Sequence, residues 1–309
     1  MRFAIMGTGG MGGYYGGLLA RSGEDVAFIA RGAHLKAIQE RGLKIKSVLG
    51  NFEVRPAQAT DDPACIGQVD VILFTTKTYQ TEEAAWMIKP MVGPKTTIVS
   101  FQNGIDAAER IGAIVGMEHM LGGATWCSAA IEEPGVIGHY SQFRRIALGE
   151  LDGKQTPRLE TLAEAFRKAG ATVEISEDIR KVLWTKFAFI APLSLLGSLT
   201  RLPLGDFRSV PESRTLLIEA IREVVTVARK AGINLDEKVI ENTLIFIDAG
   251  EPGLKASMQR DVETGKPSEL EAMIGTLVRM GEKLDVPTPV MKFGYAVLKP
   301  RELKVIGAA

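Results

Sequence analysis

A glycine-rich loop close to the start of the chain has the residue types and spacing that bind a dinucleotide. The loop, Gly7-Thr8-Gly9-Gly10-Met11-Gly12, has the pattern GxGxxG, follows the apolar segment Arg2–Met6 and precedes a segment with helical periodicity. Such glycines allow a tight turn and a close approach of the backbone to a pyrophosphate, while the next helix N-terminus offers N–H donors. We predict that these six residues bind a cofactor; a purely structural glycine turn is the alternative.

The residue that follows the second predicted strand favours NADP(H) over NAD(H). Sites for NAD usually place an acidic residue at the end of this strand, where it binds the ribose hydroxyls. Here the strand is Val26–Ala30 and the next residue is Arg31, whereas Glu24 and Asp25 precede the strand. Because a guanidinium can pair with the 2′-phosphate of NADP, Arg31 is predicted to bind it. A surface arginine at the sheet edge is the alternative.

Short apolar segments alternate with amphipathic ones in the first half of the chain. Val69–Thr75 is nearly all apolar, which is typical of a strand buried on both faces of a parallel sheet, and Thr96–Phe101 is predicted as another strand. Leu43–Ser47 and Asn51–Arg55 are predicted to form a small hairpin, and Gly135–Gly149 a further antiparallel pair. Strands that alternate with helices predict βαβ units and a Rossmann-type sheet.

The type of element changes near Ser176. Four later segments have helical periodicity, with Gly or Pro near most of the breaks: Asp178–Ser198, Ser213–Ala231, Asp236–Ala249 and Ser268–Leu284. The predicted fold class is therefore α/β, with two domains. An N-terminal Rossmann-type dinucleotide-binding domain spans residues 1–176, and an all-helical substrate-binding and catalytic domain spans residues 177–309.

Composition argues against several classes of function. The 309 residues include 37 basic and 37 acidic side chains, so no net positive charge is available to bind nucleic acid. Two cysteines and three dispersed histidines suit neither a disulfide framework nor an obvious metal site, and we predict no metal. The chain has no signal-peptide pattern and no uninterrupted apolar run of about 18 residues, which predicts a cytoplasmic protein without a membrane span.

Several separated motifs resemble those of the ketopantoate reductase (2-dehydropantoate 2-reductase) family. They are the Gly7–Gly12 loop with Arg31, Thr75-Thr76-Lys77, Gln102-Asn103-Gly104, Trp184-Thr185-Lys186-Phe187, and Ser257-Met258 followed by Glu269. Their order and approximate spacing, over nearly the whole chain, are those of the family. The resemblance implies a Rossmann domain, a helical domain and an active site in the cleft between them.

The resemblance also implies roles for individual residues. Lys186 would be the catalytic lysine that donates a proton to the ketone oxygen, and Glu269 would fix the substrate, the cofactor and the neighbouring lysine. Lys77 would contact the nucleotide or line the cleft. Asn103 would hydrogen-bond near the nicotinamide and the substrate, and Ser257 would bind the substrate carboxylate or hydroxyl. A partly desolvated lysine suits a proton donor, because desolvation moves its pKa toward neutrality.

Two positions on the predicted lysine-bearing helix depart from the family pattern. Many members have asparagines four and eight residues after the lysine, whereas this chain has Ile190 and Ser194. Ile190 has no side-chain hydrogen bond to offer, and Ser194 is a shorter donor that remains a candidate substrate-binding residue. The departure leaves the reduction chemistry intact and makes the identity of the 2-oxo acid the open question.

The predicted function is NADPH-dependent reduction of a 2-oxo acid to a 2-hydroxy acid. The first candidate is conversion of 2-dehydropantoate to pantoate in pantothenate and coenzyme A biosynthesis. A reductase of a different branched 2-oxo acid, an opine-type dehydrogenase and a non-catalytic NADPH-binding sensor are the alternatives, although a sensor needs no proton donor. The expected partner is a small-molecule 2-oxo acid, and a homodimer is left open.

Overall fold

The computed structural model describes residues 1–307 and divides the chain into two compact units. The first unit comprises residues 1–102 and 106–179, and the second comprises residues 103–105 and those from 180 onward. The boundary predicted from the sequence, 176/177, lies three residues before the break at 179/180. The prediction also assigns residues 103–105 to the first domain, whereas they group with the second unit.

The first unit is built on a large and a small β-sheet. Its strands, in chain order, are β1 (Arg2–Met6), β2 (Asp25–Ile29), β3 (Leu43–Ser47), β4 (Phe52–Val54), β5 (Gln58–Thr60), β6 (Val71–Phe74), β7 (Thr97–Ser100), β8 (Met120–Trp126), β9 (Ala129–Glu133), β10 (Val136–His139), β11 (Arg145–Gly149) and β12 (Thr172–Ile175). The eight-stranded sheet has the order β12-β11-β8-β7-β6-β1-β2-β5. Strands β5, β2, β1, β6, β7 and β8 are parallel, and β11 runs antiparallel to β8. The predicted α/β class with a parallel Rossmann-type sheet is confirmed.

Both faces of the large sheet are covered. In β1, Phe3 and Ile5 belong to one hydrophobic cluster, whereas Ala4 and Met6 belong to another, as expected where alternate side chains point to opposite faces. Every residue of β6 is buried, in agreement with its apolar sequence. The helices of this unit are α1 (Gly10–Arg21), α2 (Gly32–Arg41), α3 (Thr81–Ile88), α4 (Ala107–Val115) and α5 (Pro157–Lys168).

Strand β1 is the point at which the strand order reverses. The chain passes from β1 to β2 on one side and later returns to β6 on the other side of β1. The turns that follow β1 and β6 therefore diverge at the carboxyl end of the sheet. In doubly wound sheets this crevice is where ligands bind, and here the glycine loop follows β1 directly.

The small sheet differs in part from the sequence prediction. It has the order β4-β3-β10-β9, and β3 and β4 form the predicted antiparallel pair. The antiparallel pair predicted within Gly135–Gly149 is wrong, because β10 pairs with β3 and β9 whereas β11 joins the large sheet. The buried His139 of β10 stacks on Tyr14 of α1, with 3.9 Å between ring centroids. Sequence alternation gives no sign of such a contact.

The described residues of the second unit form helices and no strand, as predicted. The helices are α6 (Ile179–Thr200), α7 (Leu204–Ser209), α8 (Pro211–Lys230), α9 (Val239–Ala249), α10 (Ser257–Glu263), α11 (Thr276–Lys283) and α12 (Pro289–Val305). A π-helical turn, Glu271–Gly275, directly precedes α11, so the helix predicted over Ser268–Leu284 is present from Leu270 to Lys283 and contains a π turn that the sequence did not indicate. A π turn accommodates an extra residue and often occurs at functional sites.

Helix α6 is apolar on most of its surface. Among the described residues it is the one helix whose length and composition would suffice to cross a membrane, and 61% of its most apolar window is buried inside the protein. Trp184, Phe187 and Leu195 of this helix lie in the main cluster of the second unit. A helix that is apolar all round belongs in a core, and this burial identifies α6 as a core helix.

We expect Gly7→Ala to destabilise the first unit more than Gly23→Ala does. The two glycines have nearly the same backbone conformation, with φ of +96° and +98°, so alanine adds similar strain of about 1–2 kcal/mol at each. At Gly7, however, an added Cβ would lie 2.8 Å from the Thr76 amide nitrogen, whereas at Gly23 it would meet nothing within 4 Å. Thermal unfolding of the two variants measures the difference. Equal losses in Tm would show that the turns after β1 and β6 can separate without cost.

Candidate active site

The glycine loop leaves the start of α1 accessible. Helix α1 begins at Gly10, and Gly9, its N-cap, has open space where a side chain would be. At Gly12 an added Cβ would lie 2.3 Å from the Gly7 carbonyl oxygen, so glycine here lets the helix pack against the turn. Gly10 lies against β9, where a Cβ would meet the Ala129 carbonyl oxygen at 2.2 Å. The loop therefore offers backbone N–H groups to an anion approaching Gly9.

A cavity of about 290 Å³ lies at the carboxyl ends of β1, β2 and β6. The predicted cofactor residues Gly7, Thr8, Gly9 and Arg31 line it. Its other lining residues are Met6, Ile29, Ala30, His34, Thr75, Thr76, Gln80, Glu83, Ala84 and Ile131. Predicted cofactor residues outside this lining are Gly10, Met11, Gly12, Lys77, Asn103 and Glu269. A cavity of this size accommodates part of a dinucleotide, and its loop amides and guanidinium suit phosphate groups.

Arg31 lies at the end of β2, as the sequence predicted, and already has a partner in the cavity. Its Nη2 donates to Glu83 Oε1 of α3 at 2.8 Å and contacts Met87 Sδ at 3.0 Å. Both charged side chains are more than half exposed. An anion in the cavity would therefore compete with Glu83 for Arg31 or bind the remaining N–H groups of the guanidinium.

Three polar residues of the cavity, His34, Gln80 and Glu83, received no role from the sequence. His34 Nδ1 accepts the Gly135 N–H at 3.0 Å, which places the proton of the neutral ring on Nε2. Within residues 1–307, Nε2 is a buried nitrogen without a hydrogen-bond partner. Burial lowers the pKa of His34, although the Thr8 carbonyl opposes this change. Its spacing of three residues from Arg31, one turn along α2, is the signal that could have identified it.

The loop after β6 is held in place from two sides. Thr75 Oγ1 donates to the Gly7 carbonyl at 2.7 Å, which ties this loop to the glycine turn. Gln102 Nε2 donates to the Thr76 carbonyl and to Thr81 Oγ1, both at 3.0 Å. Lys77, half-buried, precedes the short 3₁₀ turn Thr78–Gln80. The Thr-Thr-Lys motif and the glutamine of the Gln-Asn-Gly motif thus support one wall of the cavity.

In the second unit, three predicted site residues form a hydrogen-bonded chain. Lys186 Nζ donates to Asn103 Oδ1 at 3.3 Å, and Asn103 Nδ2 donates to Glu269 Oε2 at 3.2 Å. Lys186 is half-buried on α6, and Glu269, 4% exposed, precedes the π turn. Residues that are 83 and 166 positions from Asn103 along the chain are thereby brought together. The asparagine of Gln-Asn-Gly belongs to the second unit, whereas its glutamine belongs to the first.

The predicted substrate-binding serines lie in different environments. Ser257 is exposed and is the first residue of α10, whereas Ser194, on α6, is only 1% exposed. Ile190, one turn before Ser194, is half-buried and packs against the main hydrophobic cluster of the second unit. The two positions at which this chain departs from the family asparagines are therefore part of the packing of α6.

In the chain Lys186–Asn103–Glu269, two hydrogen bonds join an ammonium group, an amide and a carboxylate in that order. The amide accepts from the lysine and donates to the glutamate, so it fixes the lysine without neutralising it. A half-buried ammonium is suited to stabilise negative charge on a substrate oxygen and to donate a proton to it. The arrangement would suit an acid catalyst that a second polar group holds in place.

Comparisons with known proteins identify the family of the chain. The family model "Ketopantoate reductase PanE/ApbA" matches residues 3–153, and its C-terminal counterpart matches residues 178–302. The uncharacterized oxidoreductase YkpB of Bacillus subtilis is 32% identical over 98% of this chain and 99% of its own length. The 2-dehydropantoate 2-reductase of Pyrococcus horikoshii is 30% identical, with 98% of each chain covered.

A solved structure shows the same fold. The 2-dehydropantoate 2-reductase of Geobacter metallireducens has a TM-score of 0.92 and 32% identity, with 97% of this chain and 99% of that chain covered. The matches extend over both units, including the stretches that contain the glycine loop, Lys186 and Glu269. The chain therefore belongs to the ketopantoate reductase family and is an oxidoreductase that uses a nicotinamide dinucleotide.

Proposed function

We propose that the protein reduces a 2-oxo acid to a 2-hydroxy acid with NADPH, and that 2-dehydropantoate is its substrate in pantothenate biosynthesis. The hydrogen-bonded chain Lys186–Asn103–Glu269 is the observation that carries the proposal. It provides the proton donor that reduction of a ketone requires. Assay of the purified protein with NADPH, then NADH, against 2-dehydropantoate and other 2-oxo acids tests the proposal; no NADPH oxidation with any of them would contradict it.

The reaction needs a hydride at the carbonyl carbon and a proton at the carbonyl oxygen. The bound nicotinamide supplies the hydride, and the protein supplies orientation and the proton. Lys186 Nζ donates its proton to the oxygen as negative charge develops there, and solvent returns a proton to the amine afterwards. Asn103 directs the lysine, and Glu269 holds the other end of the amide. Ser257, exposed at the start of α10, is proposed to bind the substrate carboxylate or hydroxyl.

The preference for NADPH is assigned to Arg31. The residue lies at the end of β2 and lines the cavity beside the glycine loop, where the ribose of a dinucleotide is expected. Its hydrogen bonds to Glu83 and Met87 use Nη2, so the other guanidinium N–H groups are available for a 2′-phosphate. The family membership supports dinucleotide use, and Arg31 supports the choice between the two dinucleotides.

A second candidate substrate is a different branched 2-oxo acid. Ile190 and Ser194 replace two asparagines of many family members, and Ile190 belongs to an apolar environment. A less polar surface favours a more hydrophobic substrate. The match to an uncharacterized oxidoreductase over the full length of this chain is compatible with either substrate.

We place the protein in the cytoplasm. Cys65 and Cys127 are both outside any disulfide bond, which suits a reducing compartment. The homodimer stays a prediction.

Lys186→Ala is expected to lower kcat by about 10²–10³, because it removes the charge-stabilising proton donor. Binding of NADPH, followed by its fluorescence, should stay within about two-fold. Lys181→Ala is the matched control, since Lys181 lies on the same helix and its Nζ pairs with Asp236 Oδ1 at 2.6 Å. Near-normal turnover of the Lys186 variant would remove this lysine from the catalytic role.

Arg31→Ala is expected to weaken NADPH binding by about ten- to a hundred-fold and NADH binding by less than about three-fold. The size follows from losing a charge-assisted hydrogen bond of about 1.5–3 kcal/mol to the 2′-phosphate. Titration calorimetry with each dinucleotide measures it. Arg110→Ala is the control. Arg110, on α4, pairs at 2.7 Å with Glu82, which lies on α3 next to Glu83, and Arg110 does not line the cavity. Equal weakening of both dinucleotides would contradict the 2′-phosphate contact.

The double variant Ile190→Asn/Ser194→Asn is expected to raise kcat/KM for 2-dehydropantoate by about two- to ten-fold, the worth of one regained hydrogen bond. Ser198→Asn, a buried position one turn further along α6, is the control for the cost of burying an amide. Thermal unfolding of both proteins checks that they are folded. An unchanged kcat/KM in a folded double variant would show that polarity at these positions does not limit use of this substrate.

A further inference from the structure

Helix α12 holds the residue that immediately precedes Glu269. The Ser268 N–H donates to Glu302 Oε1 at 2.7 Å, and Ser268 Oγ donates to Glu302 Oε2 at 2.7 Å. Glu302 is 6% exposed, and Ser268 is also buried. A carboxylate accepts from both the Ser268 N–H and the Ser268 hydroxyl, whereas an amide nitrogen in place of Oε2 would face the Arg301 guanidinium, which can only donate.

The same helix also holds the residue two positions after Glu269. The Glu271 carboxylate accepts from Tyr295 OH at 2.8 Å and from Lys299 Nζ, both on α12. Arg279 Nη1 donates to the other oxygen of Glu271 at 2.8 Å. Glu269 therefore lies between two attachments to one helix, where the backbone enters the π turn.

Glu302 is linked in turn to helix α10, which begins with Ser257. Arg301 Nη1 donates to Glu302 Oε2 at 3.0 Å. Arg301 Nη2 donates to the carbonyls of three residues at the end of α10 and just after it, Asp261, Val262 and Lys266, at 3.1, 3.2 and 2.8 Å. One pair of adjacent residues on α12 thus attaches to both segments that contain candidate substrate-binding groups.

We propose that Glu302, supported by Arg301, is a positioning residue that sets the place of the Glu269 carboxylate in the reaction. The proposal rests on the proposed role of Glu269. A misplacement of about 1 Å by a substitution away from the chemistry can cost about 10² in rate. The bonds to Ser268 act one peptide from Glu269, so their loss moves the backbone that carries the carboxylate. Loss of the bonds from Ser268 to Glu302 therefore lowers kcat and not the affinity for NADPH, because the NADPH contacts of the first unit are unchanged.

The chain contains a matched control for a merely structural carboxylate. Glu223, 8% exposed on α8, accepts the N–H groups of Val290 and Met291 at 2.8 and 2.9 Å at the start of α12. Like Glu302, it is a buried carboxylate that accepts hydrogen bonds from the same unit, although it has two donors where Glu302 has three. Its donors, however, lie at the opposite end of α12 from Glu302.

The experiment compares Glu302→Gln with Glu223→Gln, using NADPH and 2-dehydropantoate as probes. We expect kcat of Glu302→Gln to fall about ten- to a hundred-fold with its NADPH Kd within about two-fold of the parent. Glu223→Gln should lower Tm by a similar amount and leave kcat within about two-fold. A folded Glu302→Gln protein with normal kcat, or an equal loss of kcat in both variants, would overturn the proposal.

Three further variants separate the possible failures. Glu269→Gln comes first, with an expected loss of about 10²–10³ in kcat; if kcat is unchanged, the proposed role of Glu269 fails. If Glu269→Gln loses activity, the pair Ser268→Ala and Ser268→Thr tests the positioning without altering Glu302. Ser268→Ala removes the hydroxyl bond and should lower kcat, while Ser268→Thr retains the hydroxyl and should restore it. Equal kcat for the two serine variants would refute the proposal even if Glu302→Gln does not fold.

Discussion

The side-chain amide of Asn103 is the interaction on which the proposed reaction centre depends. An amide has one accepting end and one donating end, and Asn103 uses the first for the Lys186 ammonium and the second for the Glu269 carboxylate. No other side chain of this length does both without adding charge. Aspartate would face Glu269 with a second carboxylate, and leucine would remove both hydrogen bonds. The direction of the amide therefore determines which group can deliver a proton.

The rest of the second unit can be understood as support for these three side chains. Helix α6 is apolar enough to lie in the core, so Lys186 is held half-buried by the packing of Trp184 and Phe187. A buried glutamate is costly unless donors surround it, and Asn103 meets part of that need. The first unit solves a different problem, because a phosphate needs open backbone donors. Its glycines provide them where β1 and β6 diverge.

Much of this architecture could be predicted from the sequence, and the failures have physical causes. The GxGxxG loop, Arg31 and the change from mixed to helical elements depend on local residue types, and the structure has them where predicted. Glu83 was missed because it lies on α3, more than 50 residues after Arg31 in the chain, whereas His34 had a local signal in its spacing from Arg31. The pairing of β10 was missed because its parallel partner β3 lies 92 residues earlier in the chain, as the pair Lys44 and Val136 shows. The π turn was not predicted, and the contacts that its first residue, Glu271, makes with Tyr295 and Lys299 of α12 span 24 and 28 residues of the chain.

The membership of residues 103–105 in the second unit has a consequence for recombination within the family. A chimaera joined by a single crossover near 179/180 would combine the helical segment of one parent with the Asn103 of the other. The lysine and glutamate would then face an asparagine whose backbone was selected with a different partner. To transfer Lys186, Asn103 and Glu269 together, residues 103–105 must be exchanged along with the C-terminal segment. The residues of this proposed centre are therefore encoded by two separate parts of the gene.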